Sequence, residues 1–398
     1  MRRSLRPDAG LPAGLLWLFA IVAGISVANI YYIQPLLGLM RDDLGLTDLT
    51  ADLVALATQV GYALGLFLAI PLGDLFQRKH IIVTLMSVLC ASLVVIAASP
   101  WPWLTVLASL VTGACSVTPQ IFIPIASQFS EPLNKSRNVG RVLSGLLVGV
   151  LGGRVLSGLV GEAWGWRSMY VIAALLMAVC AVVVLAALPA MPANYEGTWA
   201  GLMGSLLRLP RAHPRLMAYS ARSGLCFGSM LAMWSTLAFK LEGTPFHASS
   251  DVVGLLGLCG VCGALTASFA GRWVDRFGVR AFNVVGAGCQ LAAWACLWFG
   301  QNTYAGIIAG IILLDIGMQC VQLSNQSTAF ALDPSASSRI NTIFMTTYFV
   351  GGAVGTLLAG AAWDAWAWAG VLGTGALMAA ASLAITATGR PDRVPAAA

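Results

Sequence analysis

Pro71-Leu72-Gly73-Asp74-Leu75-Phe76-Gln77-Arg78-Lys79 is one of two short charged stretches in an otherwise apolar chain. The other is Gly271-Arg272-Trp273-Val274-Asp275-Arg276-Phe277-Gly278-Val279-Arg280. Asp74 and Asp275 lie 201 residues apart in a chain of 398, so the unit that contains them is expected to occur twice. Each stretch follows a long apolar run and precedes another, as a tight turn between two membrane helices does. The pattern predicts a membrane protein built from two homologous halves.

The charged residues of these two stretches predict a pair of gates. An aspartate at a helix end can pair with nearby arginines and with the N-terminus of a neighbouring helix. Such contacts would latch one helix to the next at the cytoplasmic end. The residues assigned to these gating loops are Asp74, Arg78, Lys79, Gly271, Asp275, Arg276, Gly278 and Arg280.

Composition predicts that lipid, and not water, surrounds most of the chain. Hydrophobic residues make up 58% of it and charged residues 10%, and the mean hydropathy is +0.82, whereas soluble domains carry about 25% charged residues. A soluble core of this length cannot hide so much apolar surface. Because a membrane helix needs about 20 apolar residues, the chain has room for twelve of them. They are expected at 14–37, 51–73, 81–98, 103–128, 139–161, 168–189, 216–239, 252–272, 281–300, 304–326, 341–362 and 367–388.

The basic residues predict how the chain is oriented, because cytoplasmic loops carry an excess of lysine and arginine. Seventeen of the 22 lysines and arginines fall in the termini or in loops on the side of the N-terminus. Only Arg41, Arg167 and Lys240 fall on the opposite side. Both termini and the middle loop are therefore expected to be cytoplasmic. The net charge of +6 reflects this bias and not nucleic-acid binding.

The middle loop carries prolines at both ends and divides the predicted helices into two groups of six. The predicted fold class is an all-α membrane protein with 12 transmembrane helices. Residues 1–190 are expected to form an N-terminal six-helix bundle, 191–215 a cytoplasmic central loop, and 216–398 a C-terminal six-helix bundle. Within the loop, residues 201–208 are either a short amphipathic helix on the inner membrane face or a plain tether.

Three charged side chains fall well inside predicted helices, where charges are costly and tend to be functional. Asp315 lies near the middle of the tenth span, and a carboxyl there can exchange a proton as its surroundings change. It is the proton-coupling candidate, and the alternative is an aspartate satisfied by hydroxyls or by a fixed arginine. Arg154, in the glycine-rich fifth span, is expected to contact an anion, a substrate or a carboxylate, or else to reach toward the outer surface. Arg222 is expected to extend toward the cytoplasmic surface.

Uncharged polar and aromatic residues concentrate in the first, second, fourth, tenth and eleventh spans, whereas the third, sixth and twelfth hold almost none. Asp315, Gln319 and Gln322 follow the spacing i, i+4, i+7, which places them on one face of a helix. This distribution predicts that some helices line a wet cavity, although hydrogen bonding between helices is the alternative role for several residues. The substrate-cavity candidates are Asn29, Tyr32, Gln34, Gln59, Tyr62, Gln120, Arg154, Gln319, Gln322, Asn325 and Tyr348.

The nine cysteines suggest a metal site at first sight, because Cys259 and Cys262 lie one helical turn apart. All nine, however, fall inside apolar spans, and no histidine lies near that pair in the sequence. Free cysteine packs as a small hydrophobe, so we assign neither a metal nor a disulfide, and no cofactor. The sequence offers no nucleophile–base pair or metal-ligand set, and an enzyme is not expected.

The second charged stretch resembles the loop motif of the major facilitator superfamily, Gly-x-Leu-x-Asp-Arg-x-Gly-Arg-Lys/Arg, with Trp273 in place of leucine and Val279 in place of arginine. The first stretch has Gln77 where the motif has its second glycine. Further strings resemble bacterial drug/H+ antiporter-type members of the YNFM group: Ala28-Asn-Ile-Tyr-Tyr-Ile-Gln-Pro35, Pro71-Leu-Gly-Asp74, Pro119-Gln120, Gly165-Trp-Arg167, Leu314-Asp315, Ser324-Asn-Gln326 and Arg339-Ile-Asn-Thr342.

This resemblance implies that the first, fourth, seventh and tenth helices line the cavity, which adds Trp234 of the seventh span as a cavity candidate; packing against lipid is its alternative. The predicted function is secondary transport of a small organic solute across a bacterial cytoplasmic (inner) membrane by alternating access, with proton-coupled efflux as the expectation. Proton-coupled uptake or facilitated transport is the alternative, and a non-transporting membrane scaffold or receptor is a remote one. The expected partners are a small-molecule substrate, protons and the lipid bilayer, without nucleic acid, and the chain is expected to act as a monomer.

Overall fold

A computed structural model describes residues 10–131, 134–189, 191, 198–263, 265–266, 278–333 and 336–388 of the chain. Within this described part, ten helices are long and apolar enough to cross a membrane. The last of them contains two spans, because Trp366 and Ala367 interrupt it with non-helical backbone. A shorter apolar helix occupies the position of the eighth predicted span. The twelve predicted membrane helices are therefore all present.

We number these membrane helices α1–α12 in chain order. Their bounds are α1 Ala13–Leu44, α2 Asp48–Leu75, α3 Arg78–Ala98, α4 Pro102–Phe129, α5 Lys135–Trp164, α6 Trp166–Ala187, α7 Pro214–Glu242, α8 Ser250–Gly263, α9 Val279–Phe299 and α10 Tyr304–Leu332, with α11 and α12 together in Ser337–Thr388, before and after residues 366–367. The central helix Trp199–Ala212 lies between α6 and α7. The stretch 201–208 is therefore helical.

The helices group into two compact units that do not coincide with the two halves of the sequence. The first unit contains Met1–Leu46, Ala57–Gly204 and Ser250–Leu255, and the second contains Thr47–Leu56, Ser205–Ser249 and Leu256–Ala398. The start of α2 thus belongs with the second unit, and the start of α8 belongs with the first.

Two membrane helices of the first unit are broken where polar residues cluster. In α1 the helical segments Ala13–Ala28 and Ile33–Leu44 are separated by a turn at Asn29–Tyr32. In α4 the segments Pro102–Cys115 and Thr118–Phe129 are separated at Ser116 and Val117. Pro119, at the start of the second segment, lacks the backbone N–H that would continue the helix. These breaks expose backbone groups at membrane depth, which is tolerated only inside protein or beside water.

Glycines allow helices within each unit to cross at close range. In the first unit a side chain on Gly149 of α5 would collide with the backbone of Gly24 in α1. In the second unit a side chain on Gly355 of α11 would collide with the backbone of Gly228 in α7. Small residues at crossings are typical of membrane helices, whose association depends on close packing. The glycine-rich fifth helix therefore packs closely against a neighbour, as the sequence suggested.

Two predicted helix ends were too early. The first span was expected to end at residue 37, but α1 continues to Leu44 and stops at Gly45, whose φ of 63° is left-handed, a frequent glycine C-cap. The tenth span was expected to end at 326, but α10 continues to Leu332. In both cases the helix extends beyond its apolar run into polar residues, which hydropathy does not register.

Candidate functional site

A buried arginine organises the polar residues of the first unit. Arg154 of α5 is 3% exposed, and its Nε donates a hydrogen bond of 2.7 Å to Oε1 of Gln34 in α1. Its guanidinium carbon lies 4.8 Å from the centre of the Tyr31 ring, within the range of a cation–π contact. The side chain therefore turns into the unit, and the alternative in which it reaches toward the outer surface is wrong.

Further polar residues of the first unit continue from this arginine. Tyr62 of α2 hydrogen-bonds Gln120 of α4 and lies in the electrostatic environment of Tyr31. We call Tyr31, Gln34, Tyr62, Gln120 and Arg154 the Arg154 cluster. The structure thus brings four of the sequence-predicted cavity residues together from α1, α2, α4 and α5. Sequence reasoning had noted Tyr31 as polar but had not included it among the site residues.

Two amide oxygens near the breaks of the first unit are buried without hydrogen bonds. Nδ2 of Asn29 donates to the carbonyls of Ile25 and Ser26, at 2.9 and 3.0 Å. Oδ1 of Asn29 and Oε1 of Gln59 have no partner among the described residues. An unsatisfied buried acceptor is costly, so both oxygens are suited to receive a donor from water or from a bound solute.

Tyr32 lies elsewhere in the first unit. It is 2% exposed, and a side chain on Gly153 of α5 would lie 3.2 Å from its ring. Its ring therefore packs against the close approach of α1 and α5. The contacts of Tyr32 favour a packing role over a cavity role.

In the second unit, Asp315 lies inside the tenth helix as predicted. It is 6% exposed and stands on the twelfth residue of the 29-residue helix α10. A side chain on Gly263 of α8 would lie 3.0 Å from the Cβ atom of Asp315, so α8 approaches α10 closely at this carboxyl. Cys259, one turn before Gly263, lies within its electrostatic field.

Tyr348 of α11 links three helices of the second unit near the same face of α10. Its hydroxyl lies 3.2 Å from Oε1 of Gln322 and 3.2 Å from the sulfur of Met318. Its ring stacks on Phe227 of α7 with centroids 4.0 Å apart. Gln322 and Tyr348 are therefore brought together, and Gln319 is half-buried on the same face of α10.

Asn325 faces another helix of the second unit. It is fully buried, and its Nδ2 donates to Oδ1 of Asn283 in α9 at 2.5 Å, with the reciprocal bond at 3.3 Å. This amide pair joins α9 to α10. For Asn325 the structure favours the role of a hydrogen bond between helices.

Two other expectations for α7 need correction. Trp234 is fully buried, so the alternative in which it packs against lipid is wrong. Arg222 was expected to extend to the cytoplasmic surface, but it is 3% exposed. Its Nη2 lies 3.5 Å from the carbonyl of Ile385 in α12, and its guanidinium carbon lies 5.7 Å from the Tyr219 ring. Packing between α7 and α12 holds this arginine inside the unit.

The gating-loop residues are described only in part. Gly271, Asp275, Arg276 and the side chain of Asp74 lie outside what the structure describes. Arg78 is buried and its Nη1 donates to Oε1 of Gln128 at 2.8 Å, and Lys79 is buried beside it. Gly278 precedes α9 with φ 81°. Nη2 of Arg280 donates to the carbonyl of Ala387 at 3.1 Å.

Sequence reasoning missed one buried acid. Asp52 of α2 is 3% exposed, yet it lies near the start of its span, where acidic residues ordinarily favour a helix N-terminus. Its position four residues after Asp48 is the one signal that both acids share a helix face.

All nine cysteines are free thiols. Within the described residues, no group of three or more histidine, cysteine, aspartate or glutamate side chains is arranged to hold a metal ion.

Comparison with known proteins gives a consistent result along the whole chain. The sequence profile of the Major Facilitator Superfamily matches residues 16–356 and 223–398. The chain is 34% identical over 380 residues to the uncharacterized transporter YgaY of Escherichia coli O157:H7, covering 96% of both proteins. It is also 34% identical to the probable transporter SCO4007 of Streptomyces coelicolor, over 92% of this chain and 85% of that protein.

More distant similarities agree with these. The inner membrane transport protein YnfM of Escherichia coli K12 is 24% identical over 91% of this chain and 87% of its own length. Among solved structures, a mutant form of the nucleoside transporter NupG superposes with a TM-score of 0.76 at 15% identity, covering 93% of this chain and 99% of that one. This structural similarity concerns the fold.

Proposed function

Because the chain belongs to the Major Facilitator Superfamily, we propose that it moves a small organic solute across a bacterial cytoplasmic membrane by alternating access and exports that solute against a flow of protons. Transport is the activity of the family and of these relatives, and no enzymatic step is involved. The direction of transport, the proton coupling and the class of solute are our proposals. We place both termini and the central helix on the cytoplasmic side because of the basic residues there.

The Arg154 cluster supports a solute site in the first unit, and it is the observation that carries the proposal. A guanidinium that is 3% exposed needs strong partners, and Gln34 and Tyr31 supply one hydrogen bond and one ring face. The nearby acceptors on Asn29 and Gln59 await donors. A solute with an acidic or polar group near an amine or hydroxyl would satisfy both kinds of group. Packing alone does not call for an arginine among glycines.

Asp315 supports proton coupling from the second unit. A carboxyl buried near the middle of α10 loses its hydration, which favours its neutral form. When alternating access exposes it to water, the charged form becomes favourable again, so the same residue takes up and releases a proton once per cycle. Gln319 and Gln322 on the same face can hydrogen-bond either form.

The test is transport by the purified protein in vesicles with an imposed pH gradient, using a solute found by screening cells that lack the protein for changed accumulation. Asp315→Asn is expected to abolish gradient-driven accumulation while leaving slow downhill exchange. Asp251→Asn, at the N-terminal end of α8, is the matched control and is expected to accumulate solute like the wild type.

Two results would contradict the proposal. If Asp315→Asn still concentrates the solute with normal pH dependence, the proton travels elsewhere or the transport is facilitated. If the wild type accumulates solute along with protons, the transporter is a proton-coupled uptake system. Absence of any solute flux in wild-type vesicles, with flux in a known transporter prepared in parallel, would favour the scaffold alternative.

A further inference from the structure

The start of α2 places a carboxyl inside the second unit. Asp52 belongs to the segment Thr47–Leu56, which clusters with the second unit, and it is 3% exposed. A side chain on Gly360 of α11 would fall directly against Oδ2 of Asp52. The hydroxyl of Ser235 in α7 is within hydrogen-bonding reach of the carboxyl. Asp52 therefore fills a space that a glycine leaves open for it.

Within the part of the chain that the structure describes, this carboxyl has no positive partner. Its Oδ1 is buried without a hydrogen bond to any described residue, and the groups that face it are the Ser235 hydroxyl and the Gly360 backbone. Neither of these ionises. An ionised carboxylate that is buried without a cation is strongly unfavourable, and such a group binds a proton instead.

Other ionisable groups on the elements packed against Asp52 do not change this conclusion. Asp48, one turn earlier on α2, accepts a hydrogen bond of 2.8 Å from Nε1 of Trp363, and a second acid nearby disfavours a charge on Asp52. On α7, Lys240 and Glu242 lie beyond Ser235, and the Lys240 ammonium lies 3.4 Å from Oδ1 of Asn302. On α11, Asp364 lies one turn after Gly360 and is also acidic.

We propose that Asp52 is a second proton-linked residue of transport: it is neutral while packed against Gly360 and Ser235, and it releases its proton to water when Thr47–Leu56 separates from the second unit. In that step the carboxyl O–H bond breaks, the carboxylate keeps the electron pair, and water takes the proton. This inference rests on the alternating access proposed above. It assigns to Asp52 a coupling between protonation and the opening of the protein face that carries the α1–α2 loop, a role separate from that of Asp315.

Linkage fixes the sign of the effect. The buried form holds one more proton than the separated form, so raising the pH favours separation by up to about tenfold per pH unit. Lowering the pH favours the buried form. An asparagine at position 52 cannot ionise, so separation should become independent of pH while the shape of the side chain is preserved.

The test is hydrogen–deuterium exchange on the full-length protein in lipid nanodiscs between pH 6 and pH 9, corrected for the intrinsic pH dependence of amide exchange. In the wild type, the peptides covering 47–56 are expected to lose protection as the pH rises, whereas in Asp52→Asn their corrected exchange should stay flat. Asp48→Asn is the matched control: it keeps an acceptor for Trp363 and should follow the wild type. Gly360→Ala should raise exchange at every pH, because its methyl group displaces Asp52.

The proposal is overturned if wild-type protection at 47–56 does not change with pH, or if Asp52→Asn changes with pH as the wild type does. Should Asp52→Asn fail to fold, Asp52→Ser, which is smaller and also unable to ionise, replaces it with the same expectation. The measurement needs neither a solute nor a gradient. A flat wild-type profile therefore counts against Asp52 alone, and a failed transport assay counts against the proposed function alone.

Discussion

The loop before α3 and the loop before α9 are repeats of one another, and they begin their helices differently. In the first, Gln77 has φ −58° and is followed by Arg78, which is buried and bonded to Gln128. In the second, 201 residues later, Gly278 has φ 81° and is followed by Val279, buried in an apolar cluster with Phe282 and Cys320. The same position is buried in both halves, once as an arginine with a polar partner and once as a valine among hydrophobes.

The repeat is regular along the whole chain. Helices α3 and α9 begin and end 201 residues apart, and α6 and α12 end at Ala187 and Thr388, again 201 residues apart. The groups with chemistry are not repeated. The position equivalent to Arg154 is Gly355, and the position equivalent to Asp315 is Ala114. The two halves therefore share a scaffold while their buried charges differ.

The largest effect that we expect from this asymmetry concerns Arg154. Arg154→Lys keeps the charge but loses the planar five-donor fork, and a hydrogen bond to a charged group contributes about 1.5–3 kcal/mol. We therefore expect KM for the solute to rise about 10-fold to 100-fold, with a further loss in Arg154→Ala. Arg141→Lys, near the start of the same helix, is the control and should leave KM unchanged. Normal kinetics in both Arg154 variants would return this residue to a purely structural role.

How much of this site the sequence predicts depends on whether a residue contrasts with its neighbours. Arg154 and Asp315 are charges inside apolar runs, so composition identified them, and the breaks in α1 and α4 agree with the polar residues noted there. Asp52 lies at the beginning of its span and looks like an ordinary helix-start acid. The pairing of Asn325 with Asn283 depends on the register between two helices, which no single-helix pattern contains. The burial of Arg222 and Trp234 likewise depends on packing from α12 and α11.

A smaller effect is expected at the two loop aspartates. Asp74→Asn and Asp275→Asn each remove a charge that can pair with arginine, so the state in which the cytoplasmic side is closed should lose stability. Transport should fall by roughly threefold to tenfold, the size of one charge-assisted hydrogen bond near a surface. Labelling of introduced cysteines from the cytoplasmic side should increase in parallel. Wild-type transport and unchanged labelling in both variants would reject the latch in both loops.

The smallest effect separates the two loops at the level of the backbone. Gly278 has φ 81° and ψ 156°, a region essentially restricted to glycine, where another residue costs about 1–3 kcal/mol. Gly278→Ala is therefore expected to lower the free energy of unfolding by about that amount. Gln77 has φ −58° and ψ 115°, which any residue adopts, and its side chain is exposed, so Gln77→Ala should change stability by less than about 0.5 kcal/mol.

Thermal unfolding of the purified protein in detergent, followed by circular dichroism, measures both variants under the same conditions. The reverse substitution sharpens the comparison, because Gln77→Gly adds only the entropy cost of a glycine, about 0.5–1 kcal/mol. If Gly278→Ala unfolds like the wild type, or if Gln77→Ala is equally destabilised, the backbone difference between the loops has no energetic consequence. If only Gly278→Ala is destabilised, the glycine of the second loop is required by its conformation, and the first loop tolerates Gln77 because its backbone has changed with the sequence.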